Sequence, residues 1–356
     1  MKILFDARYI RTDFHDGVSR YSAELGSALA AEHDDVTFII CDPAQQKFLP
    51  KGATCILFYK PTAWREPLAS LFLNKYHPDV VISPMQTIGS FGKKFKLVVT
   101  VHDLIYYRHR RPPSGLSWML GLGWRLYHLS YWPQRLVLKG ADIIATVSQT
   151  SKHDIEAAKL TKRSVIVVPN APQKLGNLLS RALIRHKHPK NLVYMGSFMP
   201  YKNVETLIRG MAFLPDHTLH LLSKIAPARR QELEKLCPSG VTLVFHNGVS
   251  DKEYAHLLAD KALLVSASLD EGYGIPLAES LALGVPVVVS DLAIFHEVAG
   301  EGGVYFSAQS PEAFAEAVVK ASEPAMFRQL SIRGTKHIAQ FNWRRSARML
   351  LDALNK

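Results

Sequence analysis

Short apolar runs alternate with stretches of helical period along almost the whole chain. In the first half, Lys2–Phe5, Val36–Cys41, Thr54–Tyr59, Val80–Ser83, Lys96–Val101, Asp142–Val147 and Ser164–Val168 predict strands. Val18–Ala31, Trp64–Lys75 and Gln149–Lys159 predict helices among them. In the second half, Asn191–Tyr194, His217–Leu222, Val241–Phe245, Leu263–Ser266, Val285–Ser290 and Gly303–Phe306 predict strands. Val204–Met211, Pro227–Cys237, Asp251–Ala259, Leu277–Leu283 and Pro311–Ala321 predict helices between and after them, and Met326–Gln340 and Trp343–Asn355 close the chain. Strands alternating with helices in this way imply parallel βαβ units and doubly wound sheets.

The pattern breaks once. From Gln173 to Lys190 the chain turns polar and then basic, ending in Arg185-His186-Lys187-His188-Pro189-Lys190, the composition of an interdomain linker. A chain of 356 residues also exceeds one comfortable core. The expected α/β organisation is therefore a Rossmann-like domain over 1–172, a linker over 173–190 and a second Rossmann-like domain over 191–340. Two such halves facing a cleft would hold ligands at the carboxyl ends of their strands.

Composition narrows the class. With 47% apolar and 21% charged residues the chain is globular. Its three cysteines, Cys41, Cys55 and Cys237, form no C-x-x-C pair, which argues against a disulfide framework or a zinc site and fits a reducing cytoplasm. The N-terminus runs directly into a strand, so no signal peptide is expected. No apolar run reaches the ~18 residues of a spanning helix. A net charge of +12 favours anionic partners: nucleotides, nucleic acid or an acidic membrane surface.

The chemistry concentrates in Asp270-Glu271-Gly272-Tyr273-Gly274-Ile275-Pro276-Leu277-Ala278-Glu279. It reads as strand, glycine loop and helix start, which offers unpaired N–H groups and a helix dipole to an anion. Gly272 to Pro276 suit a phosphate, whereas the carboxylates of Glu271 and Glu279 suit hydroxyls of a sugar or ribose. A plain βα turn with solvated acids is the competing reading. Three other strand ends share this logic. Gly17 follows the first strand and opens a helix; His102-Asp103 ends Leu97–Val101, where the histidine could bond a sugar hydroxyl or merely cap the strand. Gly196-Ser197 leads to Lys202 ahead of a helix, a cation for a diphosphate or a lone surface lysine. Asp291 ends a further strand, as a pocket wall or as a turn residue. Finally, Arg108, Arg110 and Arg111 precede a stretch rich in aromatics that includes Trp118 and Trp124. Arginines beside aromatics suit a membrane interface or a glycolipid acceptor, but apolar residues on nearly every side favour a core helix.

With these stretches in place, the chain resembles glycosyltransferases of family 4, which have the two-domain GT-B fold. The resemblance rests on Phe5-Asp6-Ala7-Arg8, Gly17-Val18-Ser19-Arg20-Tyr21, His102-Asp103-Leu104, Ala141–Ser148, Val168–Ala171, Lys202-Asn203 and Ser290–Gly300. Its most specific part is Glu271 and Glu279 with seven residues between them, the E-x7-E motif. The resemblance implies retaining transfer from a nucleotide-diphosphate sugar with no metal and no cofactor. It implies that Glu271 contacts the donor sugar, Glu279 the ribose, Lys202, the amides after Glu271 and the helix N-terminus at Pro276 the diphosphate, that His102 lies near the donor sugar, and that Gly17 approaches donor phosphate and acceptor. The family's arginine beside the glycine is replaced by Ser197, so Arg8, Arg20 or another residue is expected to supply that charge. A terminal helix over 341–356 is expected to return to the first domain. The overall pattern is closest to mannosyltransferases, with GDP-mannose as the expected donor, UDP- and dTDP-sugars as alternatives, and a glycan or lipid-linked acceptor at the inner face of a membrane. Competing readings are an epimerase or phosphorylase of the same fold, or a non-catalytic basic protein binding anionic membrane. No nucleic-acid motif is present.

Overall fold

The computed structural model describes residues 1–13, 16–112, 117–179, 189–260 and 262–355. They divide into two compact units, unit 1 comprising residues 1–170 and 342–356, and unit 2 residues 171–341.

Unit 1 is built from β1 (Ile3–Asp6), α1 (Gly17–Glu32), β2 (Val36–Ile40), β3 (Thr54–Leu57), α2 (Ala69–Leu73), β4 (Val80–Ser83), β5 (Lys96–Thr100), α3 (Ile105–Arg108), α4 (Trp118–Tyr127), α5 (Trp132–Lys139), β6 (Ile143–Thr146), α6 (Gln149–Ala157) and β7 (Ser164–Val167). The strands form one parallel sheet in the order β3-β2-β1-β4-β5-β6-β7. Successive side chains of a strand point to opposite faces, so Leu4, Val81 and Val99 face a core with Ala69, Leu73, Leu138 and Ile155 of α2, α5 and α6. Phe5 and Phe38 face the other way, against Gly26 of α1, where any larger residue would strike their rings.

Unit 2 contains β8 (Asn191–Tyr194), α7 (Val204–Gly210), β9 (Thr218–Leu221), α8 (Pro227–Glu234), β10 (Thr242–Phe245), α9 (Asp251–Ala259), β11 (Ala262–Ser266), α10 (Ile275–Ala282), β12 (Val287–Ser290), α11 (Ala293–Ala299), β13 (Gly303–Phe306), α12 (Pro311–Ser322) and α13 (Pro324–Ile338). Its parallel sheet runs β10-β9-β8-β11-β12-β13. The final helix, α14 (Trp343–Leu354), belongs to unit 1. It packs on α1, buries Ala347, Leu350 and Leu354, and bonds Ser346 Oγ to Pro169 O at 2.7 Å. Arg344 and Arg348 both pair with Glu32 on the last turn of α1.

Most strands end within a residue or two of their sequence-predicted limits. The helix expected over Trp64–Lys75 is shorter. It consists of α2 between two 3-10 turns, Glu66–Leu68 and Asn74–Tyr76. Pro67 lacks the N–H that an α-helix running on from Trp64 would need there, and Glu66 is drawn inward by Arg8. The Trp-rich stretch differs more: it forms α4 and α5, and α4 has no buried residue, so the expected core helix is an exposed one. Of the expected linker, Leu175–Leu178 form a turn packed on α9 with Leu175 buried, and residues 180–188 lie outside the described residues.

Candidate functional site

In both sheets the strand order reverses beside the first strand, between β1 and β4 in unit 1 and between β8 and β11 in unit 2. Loops leaving adjacent strands at such a point diverge to opposite faces and leave room for a ligand at the strands' carboxyl ends.

In unit 2 the loop after β8 carries Ser197 and Lys202, and the loop after β11 carries Glu271 to Gly274. The two loops are tied by backbone, Leu269 N donating to Tyr201 O at 2.7 Å. Asn203, in left-handed conformation with φ of 50°, is the fastening the sequence reading passed over. Its amide donates to Ala267 O at 3.1 Å and Ala308 O at 2.6 Å, joining the loops after β8, β11 and β13. Asparagine tolerates left-handed backbone better than most residues, which is the local signal for it. So held, Lys202 forms an ion pair with Glu271, and both side chains remain partly accessible, at 14% and 18%. Ser197 is exposed, and its carbonyl accepts from the buried Tyr194 hydroxyl at 2.6 Å. Burial, reinforced by the negative charge of Glu271, pushes that phenol well above its ordinary range and keeps it protonated.

Gly274, at φ of 88°, is the N-cap of α10 and lies close to the Phe295 ring, so a side chain there would be both strained and crowded. Gly274 O accepts from Leu277 N at 3.0 Å, Pro276 has no N–H, and a glycine cap places no side-chain oxygen over the positive end of the helix dipole. Gly272 and Tyr273 are buried, and Glu279, one turn further on, is 2% exposed. At the end of β12, Asp291 bonds His296 Nε2 at 2.6 Å, and that imidazole stacks on Tyr305 with centroids 3.7 Å apart.

In unit 1, Gly17 is the exposed first residue of α1, capped by Asp16 Oδ1 accepting from Ser19 N at 2.9 Å. His102, just beyond β5, donates from Nε2 to Pro84 O at 2.8 Å and lies edge-on to Tyr21 at 5.0 Å. Burial lowers the imidazole below its usual range, more than the Pro84 bond and Asp16 raise it. With Nε2 donating, Nδ1 of the neutral ring is an acceptor.

Arg8 does not supply the charge missing at Ser197. Its guanidinium is fully buried, bonded to Asp6 at 2.7 Å and 2.9 Å and to Glu66 at 2.8 Å and 2.7 Å. The cation that touches the Ser197 loop is Arg229 of α8, bonded to Phe198 O at 3.3 Å and paired with Glu205 and Glu232. Nothing near Ser197 in sequence announces a residue thirty-odd positions on. Arg108 pairs with Asp154 at 2.9 Å, Arg110 bonds Tyr107 O at 3.2 Å, and Arg111 is exposed. Trp118 is 77% exposed, while Trp124 is half-buried against His128.

Two family descriptions match in tandem, "Glycosyltransferase Family 4" over residues 15–171 and "Glycosyl transferases group 1" over residues 189–323. The chain belongs to glycosyltransferase family 4. It is 34% identical over 112 residues to the serotype-specific mannosyltransferase WbdA of Escherichia coli, a match covering 32% of this chain and 14% of that protein. It is 27% identical over 190 residues to the O-antigen chain mannosyltransferase RfbU of Salmonella typhimurium, covering 52% of each. The family 4 chain thus spans from a seventh to about half the length of these curated relatives. Its fold is similar to that of Anabaena HepE, solved with UDP and glucose, with a TM-score of 0.74, 18% identity and 100% of both chains covered.

Proposed function

We propose that the chain is a retaining, metal-independent glycosyltransferase that moves a hexose from a nucleotide-diphosphate sugar to a glycan or lipid-linked acceptor in surface-polysaccharide or glycolipid synthesis. The observation that carries this reading is the Lys202–Glu271 ion pair at the reversal point of unit 2, beside the glycine-capped start of α10.

Each residue then has one task. The donor diphosphate takes the ammonium of Lys202 from Glu271 and lies against the backbone N–H groups of the Gly272–Ile275 loop at the start of α10. Glu271, released, accepts from a hydroxyl of the donor sugar, and Glu279 accepts from the ribose. As the bond between anomeric carbon and phosphate oxygen breaks, its electron pair goes to the diphosphate. Lys202 and the α10 dipole already point at that growing charge, so no metal is required. The acceptor oxygen bonds the anomeric carbon on the face the phosphate leaves, and its proton passes to the leaving phosphate oxygen. In unit 1, neutral His102 accepts from a sugar hydroxyl through Nδ1, and Gly17 lets backbone approach the reacting groups. The mannosyltransferase relatives favour mannose, and GDP-mannose is the proposed donor.

The exposed α4 with Arg108, Arg110, Arg111, Trp118 and Trp124 supports peripheral contact with an anionic membrane that carries the acceptor, on its cytoplasmic face. No described helix is long and apolar enough to cross a membrane. Calorimetry against a panel of nucleotide sugars, followed by NMR of the product, tests the reading. Tightest binding of GDP-mannose and retained anomeric configuration are expected; an inverted product would sink the mechanism.

A further inference from the structure

Exposed apolar side chains in unit 1 are not confined to α4 and α5. Trp64 is 84% exposed, Phe91 68%, and Leu68, Leu71 and Phe72 between 37% and 44%. These residues hold together as one surface. Phe72 packs edge-on to Tyr59, Arg65 lies over the same Tyr59 ring at 5.2 Å, and Ser70 Oγ bonds Gly89 O. The loop carrying Phe91 joins this surface to the other. Leu71 packs on Gly92, and two residues earlier, on the other side of Phe91, Ser90 Oγ lies against Gly140 at the end of α5. Both α2 and α5 cover the same side of the sheet, the side of Leu4, Val81 and Val99, whereas α1 packs on the side of Phe5 and Phe38.

Cations predominate along the segments that carry these side chains, and the carboxylates Asp142 and Asp154 are paired with Lys93 and Arg108. Residues 43–78 contain Lys47, Lys51, Lys60, Arg65 and Lys75 against a single acid, Glu66, which is buried and paired with Arg8. Residues 84–96 contain three lysines and no acid, and residues 104–141 contain no acid at all. Exposed aromatics and aliphatics among an excess of cations match an anionic lipid interface, where rings sit at headgroup level and cations meet lipid phosphates. A protein partner would have to cover several separated apolar elements at once, and no groove between them is needed for lipid.

We propose that this whole face of unit 1, from Trp64 through Phe91 to α4 and α5, docks on an anionic bilayer, so that the chain rests on lipid through two connected footholds. This rests on the membrane contact read above for α4 and adds a second foothold and an orientation, with α2 and α5 toward lipid and α1 and α14 away from it.

The experiment is flotation of the full chain with phosphatidylcholine vesicles, with and without phosphatidylglycerol. The paired variants are Trp64→Ser with Phe91→Ser, and Trp118→Ser with Leu122→Ser. All four side chains are exposed, so melting temperatures should stay within error. Each pair should lower the partition coefficient on anionic vesicles about tenfold or more, since each removes two interfacial anchors. The Trp64/Phe91 pair should retain donor hydrolysis. Unchanged partitioning of that pair beside a loss in the Trp118/Leu122 pair would overturn the second foothold and leave the α4 contact standing. Equal binding to vesicles lacking phosphatidylglycerol would overturn the anionic occupant, and no binding by the parent chain would overturn both.

Discussion

The two units are built alike, as parallel sheets whose order reverses beside their first strands, and differ in what they leave at the surface and at that reversal. Among the described residues, sixteen large hydrophobic side chains are exposed in unit 1 and five in unit 2. The ion pairs differ too. Beyond β1, Arg8 is sealed between two carboxylates with no side-chain exposure; beyond β8, Lys202 meets one carboxylate and stays partly accessible. A buried cation with two partners is fixed, because removing it strands two charges in low dielectric. A partly open one-to-one pair can exchange its partner for a ligand at little cost. The same strand end thus holds a sealed charge cluster in one unit and a pair open to solvent in the other.

The largest expected effect comes from removing α14. Deleting residues from Trp343 onward exposes the core against α1, including Leu350 and Leu354. At ~1.5–3 kcal/mol per buried leucine, unit 1 should lose at least ~3–6 kcal/mol in denaturant melts. Unchanged melting of the truncated chain would show that α14 is not part of that unit's core.

Next, Arg8→Ala should cost about 3–5 kcal/mol of stability, while Lys202→Ala should shift melting little and lower turnover by about 10²–10³, the loss of one donor aimed at the leaving charge. Chemical denaturation and steady-state kinetics on both variants check this, and similar stability losses for the two would erase the contrast between sealed and open pairs. Within unit 2, Glu271→Ala should mainly lower kcat and Glu279→Ala mainly weaken nucleotide binding; matching kinetic profiles would refute the division.

The smallest effect is on pH. Burial lowers His102 and His128 in unit 1 and His217 and His220 in unit 2. Their unfolded forms bind protons first as pH falls, so stability should be full above about pH 6.5, decline as pH drops below it, and level off once the folded imidazoles are also protonated. Melting temperatures followed across that range, for the parent and for His102→Gln, measure it; an acid limb unchanged in His102→Gln would exclude that histidine as a contributor.

Much of the candidate site was legible because it is local. Glycine before a helix, lysine before a helix and two acids with seven residues between them are short-range patterns, and φ of 88° at Gly274 is a demand only glycine meets easily. What escaped the sequence depends on distant partners. Position alone leaves Arg8 open to a phosphate role, whereas Glu66, 58 positions away, holds it in the fold. Arg229 reaches the Ser197 loop from another helix, and Asn203 acts by bonding carbonyls of two remote loops.

By itself the sequence determined the two sheets, since buried parallel strands must be apolar runs and nothing else in the chain supplies them. It also determined the strand ends at which charge and glycine gather. Only the tertiary structure decided which apolar helices are core. α4 is apolar around most of its circumference, a pattern common to a helix buried in protein and one presented to lipid, and period alone cannot distinguish two apolar surroundings. The tertiary structure also decided which cations are spent, because an ion pair is set by distance in space and leaves no period along the chain.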